Sequence, residues 1–358
     1  MAVMPRSTKS PDVPNRVSLK TLAEYLDLSP ATISFVLNDA PGRSIPQVTR
    51  NRVHAAAKKF GYQPSFVARS LQGMRSQTIG VLLPVFGEGY HTQVLAGAGD
   101  SLIDKGYFFF TAHHRHREDL VLEYPNLLAA RGIEGILAID THLKKSPQCP
   151  TVAIASHHIL PGVTNVILDH HRAAELALQH LYQLGHRKIA FMRGQSISSD
   201  TDVRWKATVK VARSLGLTVS SDLTIKLDKD LDTPELGYPG IRNLLRQTKD
   251  FTAMLCFNDV AAIGTLRALF DAGLRVPHDV SILGFDDIPA AAFNVPSIST
   301  IRQPLQEFGR TAAELLLRKI AGERVPGVVT IEPELIVRET TGPAPKTSPG
   351  SRNRTGRP

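Results

Sequence analysis

The residue types in the first 76 positions suit contact with a polyanion. This segment holds eleven Lys and Arg residues against four Asp and Glu residues. Residues 341–358 add four basic residues and no acidic one, so residues 77–340 carry only −2 of the net charge of +9. A small basic module beside a nearly neutral domain is typical of proteins that bind phosphate backbones, although a solvated basic surface has the same composition.

Side chains able to read a nucleic acid lie on the short segment Ala31–Leu37. Its apolar residues Ile33, Val36 and Leu37 recur at helical spacing. The opposite face then presents Ala31, Thr32, Ser34 and Phe35, while Ser29 is an N-cap residue type and Pro30 suits the first helical position. A short helix with such a face fits a major groove, and it equally fits a three-helix cap that does not bind DNA.

Two further helices flank this segment. Ser18 caps a predicted helix over Leu19–Leu26, and another spans about Gln47–Phe60 before Gly61 stops it. Two short helices joined by a three-residue turn form a helix-turn-helix motif. We therefore predict a helix-turn-helix domain over 17–63, a disordered polar tail over 1–16 and a linker with helical potential over 64–76.

The remainder alternates short apolar or β-branched runs with amphipathic helical runs. The predicted strands are TIGVLLP, YFFFTA, IEGILAI, TVAIA, NVILD, KIAFM, FTAMLCF and VSILGF. Strands buried on both faces and alternating with helices indicate parallel sheets. The runs form two sets, which predicts a core over 77–340 with two doubly wound lobes, the first about 77–166, and a cleft between their strand ends. Residues 341–358 are predicted to be a disordered basic tail.

Histidines follow several predicted strands of the core. They occur in Gly89-Tyr90-His91, in His113-His114-Arg115-His116 and in Ser156-His157-His158. These residues either line the cleft, where they would suit an anionic or aromatic ligand, or lie in solvated loops. Adjacent side chains on a strand point to opposite faces and rarely chelate one ion together, so we predict no metal site.

Several other classes of protein lack support. No apolar run reaches the roughly 18 residues of a membrane span, and 1–16 has no signal-peptide core, which predicts a cytoplasmic protein without membrane contact. Cys149 and Cys256 are too few for a disulfide framework. A Rossmann-like enzyme remains the alternative, but Leu95–Asp100 (LAGAGD) lies in a helical run, and no G-x-S-x-G, P-loop or H-E-x-x-H motif occurs.

Several motifs resemble the LacI/GalR family of repressors in that family's order. The N-terminal ones are VSLKTLAEYLDLSPATISFVLN over 17–38 and RNRVHAAAKKFGYQPSFVARSLQG over 52–73. In the core the resemblance covers TIGVLLP, GHRKIA over 185–190, FND over 257–259, GFDD over 284–287 and TIRQP over 300–304. It therefore extends through nearly the whole chain.

The resemblance implies a sequence-specific DNA-binding transcription regulator, expected to be a repressor and not an enzyme. Its fold would be α/β, with an N-terminal all-α helix-turn-helix domain and a two-lobed core of the periplasmic-binding-protein type I fold, in which helices flank parallel sheets. We expect a homodimer on pseudo-palindromic operator DNA, and a small-molecule effector such as a sugar or nucleobase in place of a cofactor. Whether the effector releases or promotes DNA binding stays open, and a core that has lost effector binding is the alternative.

The resemblance also implies roles for individual residues on DNA. The positions that match phosphate or base contacts, or lie beside them on the reading helix, are Leu19, Ser29, Pro30, Ala31, Thr32, Ser34, Asn38, Thr49 and Arg50. Tyr62, Ala68 and Leu71 match the hinge, where a leucine opens the minor groove. Two positions depart from the family: Phe35 stands where an arginine usually reads guanine, and Ser65 stands where asparagine usually begins the hinge helix. Phe35 could contact a thymine methyl or pack on the helix flank.

For the effector, Arg204 matches the family's clamping arginine, and Asn258 and Asp286 match polar groups that receive hydroxyls or ring nitrogens. Gln303 lies on a crossover segment near the same cleft, and we add His91 from the loop after the first strand. Purely structural roles remain open as well: Asn258 could cap a helix, Asp286 could form a cap or turn, and Arg204 could pair with Asp200 or Asp202. Ala207 replaces the family's glycine three residues after the clamp.

Overall fold

The computed structural model describes residues 17–37, 44–62, 75–87, 89–227, 233–346 and 349–352. The chain divides into two compact units, Met1–Ser76 and Gln77–Pro358. Each unit has its own hydrophobic core.

The N-terminal unit packs three helices: α1 (Leu19–Leu26), α2 (Pro30–Leu37) and α3 (Gln47–Lys59). The predicted caps form, because Ser18 Oγ accepts a hydrogen bond from the Thr21 amide and Ser29 Oγ accepts one from the Thr32 amide, each at 3.1 Å. Its buried core consists of Leu22, Ala23, Leu26, Ile33, Val36, Val53, Ala56 and Ala57. The apolar spacing of each helix therefore turns one face toward the other two.

The C-terminal unit contains two six-stranded sheets, counted over the described residues. The strands are β1 (Thr78–Leu83), β2 (Phe108–His113), β3 (Gly135–Ile139), β4 (Thr151–Ile154), β5 (Val163–Leu168), β6 (Ile189–Arg193), β7 (Thr224–Lys226), β8 (Ala253–Leu255), β9 (Ser281–Asp286), β10 (Ser299–Arg302), β11 (Val328–Ile331) and β12 (Glu334–Ile336). The first lobe has the order β11-β5-β4-β3-β1-β2 and is parallel throughout. The second has the order β12-β10-β9-β8-β6-β7, with β12 antiparallel to β10.

Helices cover both sheets. They are α4 (Tyr90–Asp104), α5 (Glu118–Ala130), α6 (His170–Gln183), α7 (Thr201–Ser214), α8 (Tyr238–Gln247), α9 (Asp259–Asp271), α10 (Pro289–Phe293), α11 (Leu305–Ile320) and α12 (Pro349–Arg352). All eight predicted core strands are present. The strands β7, β10, β11 and β12 were not predicted, because each has only three or four residues and depends on its partner strand.

The lobes are not continuous stretches of sequence, although the alternation predicted a single division near residue 166. The chain enters the second lobe after β5, returns at Gln303–Pro304 to build α11 and β11 in the first lobe, and crosses again before β12. Helix α11 packs against α4, β3 and β4. Three connections therefore join the lobes beside the cleft.

Helices α4 and α11 approach each other without side chains between them at two glycines. A Cβ atom on Gly309 would lie 2.0 Å from the carbonyl oxygen of Val94, and one on Gly97 would lie 2.0 Å from that of Gln306. Real Cβ atoms do not come this close to backbone atoms. Glycine at both positions therefore sets the spacing of this helix pair.

The chain after residue 340 differs from the predicted tail wherever the structure describes it. The Gly342 amide donates to Ser281 Oγ at 3.1 Å, the Ala344 amide to the Leu184 carbonyl at 2.8 Å and the Gly350 amide to the Lys249 carbonyl at 3.0 Å. Composition missed this because the contacts use backbone groups, which every sequence supplies. Residues 341–346 and 349–352 thus pack on the second lobe.

Candidate effector cleft and DNA-reading helix

Loops from both lobes meet at a cavity of about 70 Å³. The first lobe contributes Tyr90 and His91 from the start of α4 and Asp140 from the end of β3. The second contributes Asp200 and Arg204 from the start of α7, Phe257 and Asn258 before α9, and Asp286 from the end of β9. Concave sites with a few convergent polar groups on an apolar wall are the usual form of a small-molecule site.

The guanidinium group of Arg204 is held firmly in this wall. Nη1 donates to the Phe257 carbonyl at 2.8 Å and Nη2 donates to Asp200 Oδ2 at 3.2 Å. The group also lies 3.8 Å from the centroid of the Phe285 ring and 4.7 Å from that of Phe257. Nε is buried with no hydrogen-bond partner among the described residues. A rigid cationic group thus keeps one donor unused.

Asp200 stays ionised although it is buried. Burial alone would raise the pKa of its carboxyl group, but the attraction of His170, the hydrogen bond from His157 and the charge of Arg204 outweigh burial and hold the pKa well below its usual range. Oδ1 accepts from His157 Nε2 at 2.7 Å and lies 3.2 Å from His170 Nε2. The sequence predicts Asp200 only as a possible partner of Arg204, and the structure contains that pair.

Side chains tie the two lobes together across the cleft. Asp140 Oδ1, in the first lobe, accepts from the Ser199 amide at 3.2 Å and from Ser199 Oγ at 2.8 Å. Ser199 also contacts the carbonyl of Ala155. His157 reaches Asp200 from the opposite lobe. The described arrangement is therefore a closed one, held by bonds that opening would break.

Tyr90 and His91 face the cavity from the first lobe. The Tyr90 hydroxyl is buried and has no hydrogen-bond partner in the described part of the chain. Burial and the charges of Asp200, Asp140 and Asp286 raise its pKa well above the ordinary value, so it stays a neutral donor. His91 Nε2 lies 3.4 Å from Asp140 Oδ2. An unsatisfied buried hydroxyl costs about 1–3 kcal/mol, which a bound polar ligand would recover.

The remaining effector candidates have structural contacts as well. Asn258 Oδ1 accepts from the Ala261 amide at 2.9 Å and caps α9, as the structural alternative expected, while the residue still lines the cavity. Asp286 Oδ1 accepts from Gln303 Nε2 at 2.6 Å. Gln303 is only 2% exposed, so its amide orients Asp286. His91, Arg204, Asn258 and Asp286 thus come together, with Gln303 acting through Asp286.

Tyr90, Asp140 and Phe257 are not among the effector-binding residues predicted from the sequence. Tyr90 belongs to a strand-end loop that was expected either to line the cleft or to lie in solvent, and Asp140 follows a predicted strand, which was the available signal. A larger cavity of about 440 Å³ adjoins the first one and shares His116, Ile197 and Ser198 with it. The cleft therefore continues past the residues named so far.

His114 lines this second cavity as a structural, neutral imidazole. Its Nε2 lies 2.9 Å from Thr141 Oγ1, and the Thr141 hydroxyl donates to the Ile139 carbonyl. The His116 amide donates to His114 Nδ1 at 3.2 Å. The proton of the ring must then reside on Nε2. Burial, with repulsion from His116, lowers the pKa of His114 to about 4.

In the N-terminal unit the predicted reading face of α2 is accessible. Ser29, Pro30 and Ala31 are exposed, and Leu19, Thr32, Ser34, Phe35, Thr49 and Arg50 are half-buried. Tyr62 packs against the helical core, and burial raises its pKa. Asn38, Ser65, Ala68 and Leu71 lie outside the described residues. The polar and small side chains of α2 therefore reach the surface while Ile33 and Val36 hold the helix in place.

Two family descriptions match this chain. "Bacterial regulatory proteins, lacI family" matches residues 18–65, and "Periplasmic binding protein-like domain" matches residues 178–341. The HTH-type transcriptional repressor PurR of Haemophilus influenzae is 31% identical over 334 residues, which cover 90% of this chain and 98% of that repressor. The similarity thus includes both units.

Solved structures of transcription regulators are similar to nearly the whole chain as well. The lac repressor dimer bound to operator and the anti-inducer ONPF has a TM-score of 0.80 and 26% identity, over 92% of this chain and all (100%) of that one. The complex of the transcriptional regulator CelR with cellobiose has a TM-score of 0.67 and 26% identity, over 90% of this chain and 99% of that one.

In the part of the chain that the structure describes, no helix has the length and apolar character needed to cross a bilayer. A helix-turn-helix unit, a two-lobed core with a polar cleft and similarity over nearly the full length of a known repressor lead to one conclusion. The chain belongs to the LacI family of bacterial regulatory proteins and is a DNA-binding transcription regulator, not an enzyme.

Proposed function

We propose that this regulator is a homodimeric repressor that binds a pseudo-palindromic operator and responds to a small molecule in the interlobe cleft. The observation that carries the proposal is the pair of unused donors at the cavity, Arg204 Nε and the Tyr90 hydroxyl, set among groups that are otherwise bonded. A buried donor without a partner is costly in a free protein and useful in one that binds a polar ligand.

The charges of the cavity indicate the chemistry of this effector. Among the described residues that line it, Asp140, Asp200 and Asp286 carry carboxylates and Arg204 alone carries a guanidinium. An anionic ligand would meet net repulsion, whereas hydroxyl groups can both donate to carboxylates and accept from Arg204 and Tyr90. We infer a neutral, polyhydroxylated effector of the sugar class. The similar regulator CelR was solved as a complex with cellobiose, which supports this class.

The DNA side of the proposal rests on α2. Its N-terminal residues Ser29, Pro30 and Ala31 are exposed, and Thr32 and Ser34 place hydroxyls on the same short helix. One helix of this length reads few bases, so two half-sites related by a protein two-fold axis are needed. Asn38, Thr49 and Arg50 would add contacts, and Ser65, Ala68 and Leu71 would form a hinge that enters the minor groove. Such a regulator acts in the compartment that holds the chromosome.

A ligand screen with a hydroxyl-deletion variant tests the effector proposal. The unfolding temperature of the full chain should rise with one or more neutral sugars and not with sugar phosphates, because a ligand at 100 times its Kd adds about 2.7 kcal/mol. The same measurement with nucleobases provides the comparison for the neutral sugars. Tyr90→Phe should unfold at the same or a higher temperature without ligand, because it removes an unsatisfied group, yet shift less with the active sugar.

Tyr107→Phe is the matched control, because its hydroxyl lies 3.3 Å from Glu134 and not in the cavity. It should keep the wild-type ligand shift. A shift produced by anionic ligands alone would contradict the sugar assignment. If no small molecule of any class raised the unfolding temperature, the alternative of a core without effector binding would replace the proposal.

A further inference from the structure

We propose that His157, His170 and Asp200 form a binding site for one divalent transition-metal ion of the zinc class, and that this ion joins the two lobes. The three residues come from separate parts of the chain. His157 follows β4 in the first lobe, His170 begins α6 at the first crossing, and Asp200 directly precedes α7 in the second lobe. The inference is independent of the identity of the effector.

The donor atoms already lie close enough together to reach one shared ion. One carboxylate oxygen and one nitrogen from each imidazole all lie within 4.8 Å of one another. Zinc–nitrogen bonds of 2.0–2.1 Å place the ligand atoms of a tetrahedral site about 3.3 Å apart. His170 Nε2 lies 3.2 Å from Asp200 Oδ1, and the 2.7 Å contact of His157 Nε2 with the same oxygen needs to lengthen by only about 0.6 Å.

His170 is a buried imidazole that lies against the carboxylate with which it would share the ion. Its side chain is 2% exposed, its Nε2 lies 3.2 Å from Asp200 Oδ1, and its Nδ1 has no hydrogen-bond partner among the described residues. Nε2 therefore already lies beside the carboxylate oxygen that would bind the same ion.

The surrounding charges admit a cation. Asp140, Asp200 and Asp286 face the cleft against the single guanidinium of Arg204 among the described lining residues. Arg204 Nη2 binds Asp200 Oδ2 at 3.2 Å, which leaves Oδ1 for the ion. Two imidazoles and one carboxylate favour zinc or cobalt over magnesium or calcium, which prefer oxygen ligands.

This arrangement differs from the prediction of no metal site, and the reason is topological. That prediction rested on adjacent histidines, which do point apart. The structure instead takes one residue from each adjacent pair: His157 and His170 are buried or half-buried, whereas His158 and His171 are exposed. The fold thus brings together one histidine from the pair His157-His158 and one from the pair His170-His171. Because His157 and Asp200 belong to opposite lobes, the ion would favour the closed arrangement that brings them together.

Cobalt titration of the full-length protein tests the site. After treatment with a chelator and its removal, wild-type protein should take up one Co²⁺ per chain with visible d–d absorption, and one equivalent of Zn²⁺ should abolish that absorption. His157→Asn and His170→Asn should each weaken uptake by at least about tenfold, since even outer-shell changes at metal sites cost this much. His158→Asn and His171→Asn, the exposed neighbours, should bind as wild type does.

The wild-type measurement is decisive even if a variant folds poorly, which circular dichroism would reveal. Absence of stoichiometric Co²⁺ and Zn²⁺ uptake by the wild-type protein would overturn the proposal. Uptake that survives in both His157→Asn and His170→Asn would do the same, because it would place the ion elsewhere, for instance among His113–His116.

Discussion

Arg204 combines two roles that its sequence position alone did not separate. It makes the structural pair with Asp200 and the carbonyl contact with Phe257, and it keeps Nε available beside the cavity. The structural alternative and the proposed effector role are therefore compatible in one side chain, because a guanidinium has five donors.

Replacement of Arg204 separates these roles. Arg204→Ala should weaken effector binding by tens- to thousands-fold, corresponding to roughly 2–5 kcal/mol, because it removes a buried charged partner. Arg204→Lys should restore little, since an ammonium group cannot reach several partners in one plane. Calorimetry with the sugar found by the screen measures both. Arg318→Ala, which breaks an exposed pair with Glu323 away from the cleft, is the control and should bind normally. Wild-type affinity in Arg204→Ala would place the effector elsewhere.

His114 makes stability depend on pH in a defined window. Its imidazole takes up a proton near the ordinary pKa of 6.5 in the unfolded chain, but only near a pKa of about 4 in the folded one. The unfolded state then binds more protons between these pH values, so the free energy of unfolding falls as pH drops from about 6.5 to 4, by at most about 3 kcal/mol from this residue.

Denaturant unfolding measured at several pH values checks this dependence. The amide of His114→Gln can still donate to Thr141. In this variant the slope of the free energy of unfolding against pH should decrease by an amount that corresponds to at most one proton. An unchanged slope in this variant would mean that other buried histidines, such as His170 and His186, cause the dependence.

Among single residues, the sequence identified those that a family motif marks and missed those whose role is spatial. Arg204, Asn258 and Asp286, which family motifs mark, come together with His91, which lies in the loop after the first strand, as expected for one cleft. Tyr90, Asp140 and the pairing of His157 with His170 depend on which loops meet, and no local pattern shows that a hydroxyl or imidazole lacks a partner.

At the scale of elements, the approach of α4 and α11 depends on the absence of a side chain. Gly309→Ala should lower the free energy of unfolding by about 1–3 kcal/mol, because the new methyl group meets the backbone of Val94 and the helices must separate. Gly327→Ala is the control, since nothing lies within 4 Å of its added Cβ. Equal urea midpoints for the two variants would show that the helices adjust freely.

The elements differ in how visible they are in the sequence. Strands such as β1 and β9 are visible because burial on both faces requires a continuous apolar run. The helices of the N-terminal unit are visible because burial on one face requires apolar residues at helical spacing. The strands β10, β11 and β12 are too short for a pattern of their own. They form because the chain returns to a sheet edge that is already in place.

For the whole molecule, the basic N-terminal unit predicts binding that weakens steeply with salt. The slope of log K against log salt decreases by about one for every phosphate that a variant no longer neutralises. Arg50→Gln should therefore flatten the slope by about one unit and weaken binding similarly for all sequences. Lys105→Gln, on the surface of the core, should change neither. A nearly flat wild-type plot from fluorescence anisotropy would contradict this electrostatic model.

Footprinting on selected DNA tests the assembly. Two protected half-sites, about one helical turn apart from centre to centre and related by a two-fold axis, are expected for a dimer. A single protected half-site at saturating protein would instead indicate a monomeric reader.

The return of the chain through α11 and β11 has a consequence for synthesis in the cell. As the polypeptide emerges from the ribosome, β1 to β5 appear early, but the β11 edge of their sheet and the helix that covers Gly97 are made nearly last. The lobe begun first therefore stays incomplete until most of the second lobe has been translated, and its apolar face waits during that time. A nonsense mutation before Val328 would damage both lobes at once, so truncated chains should be cleared as unfolded protein and should not persist as half-working regulators.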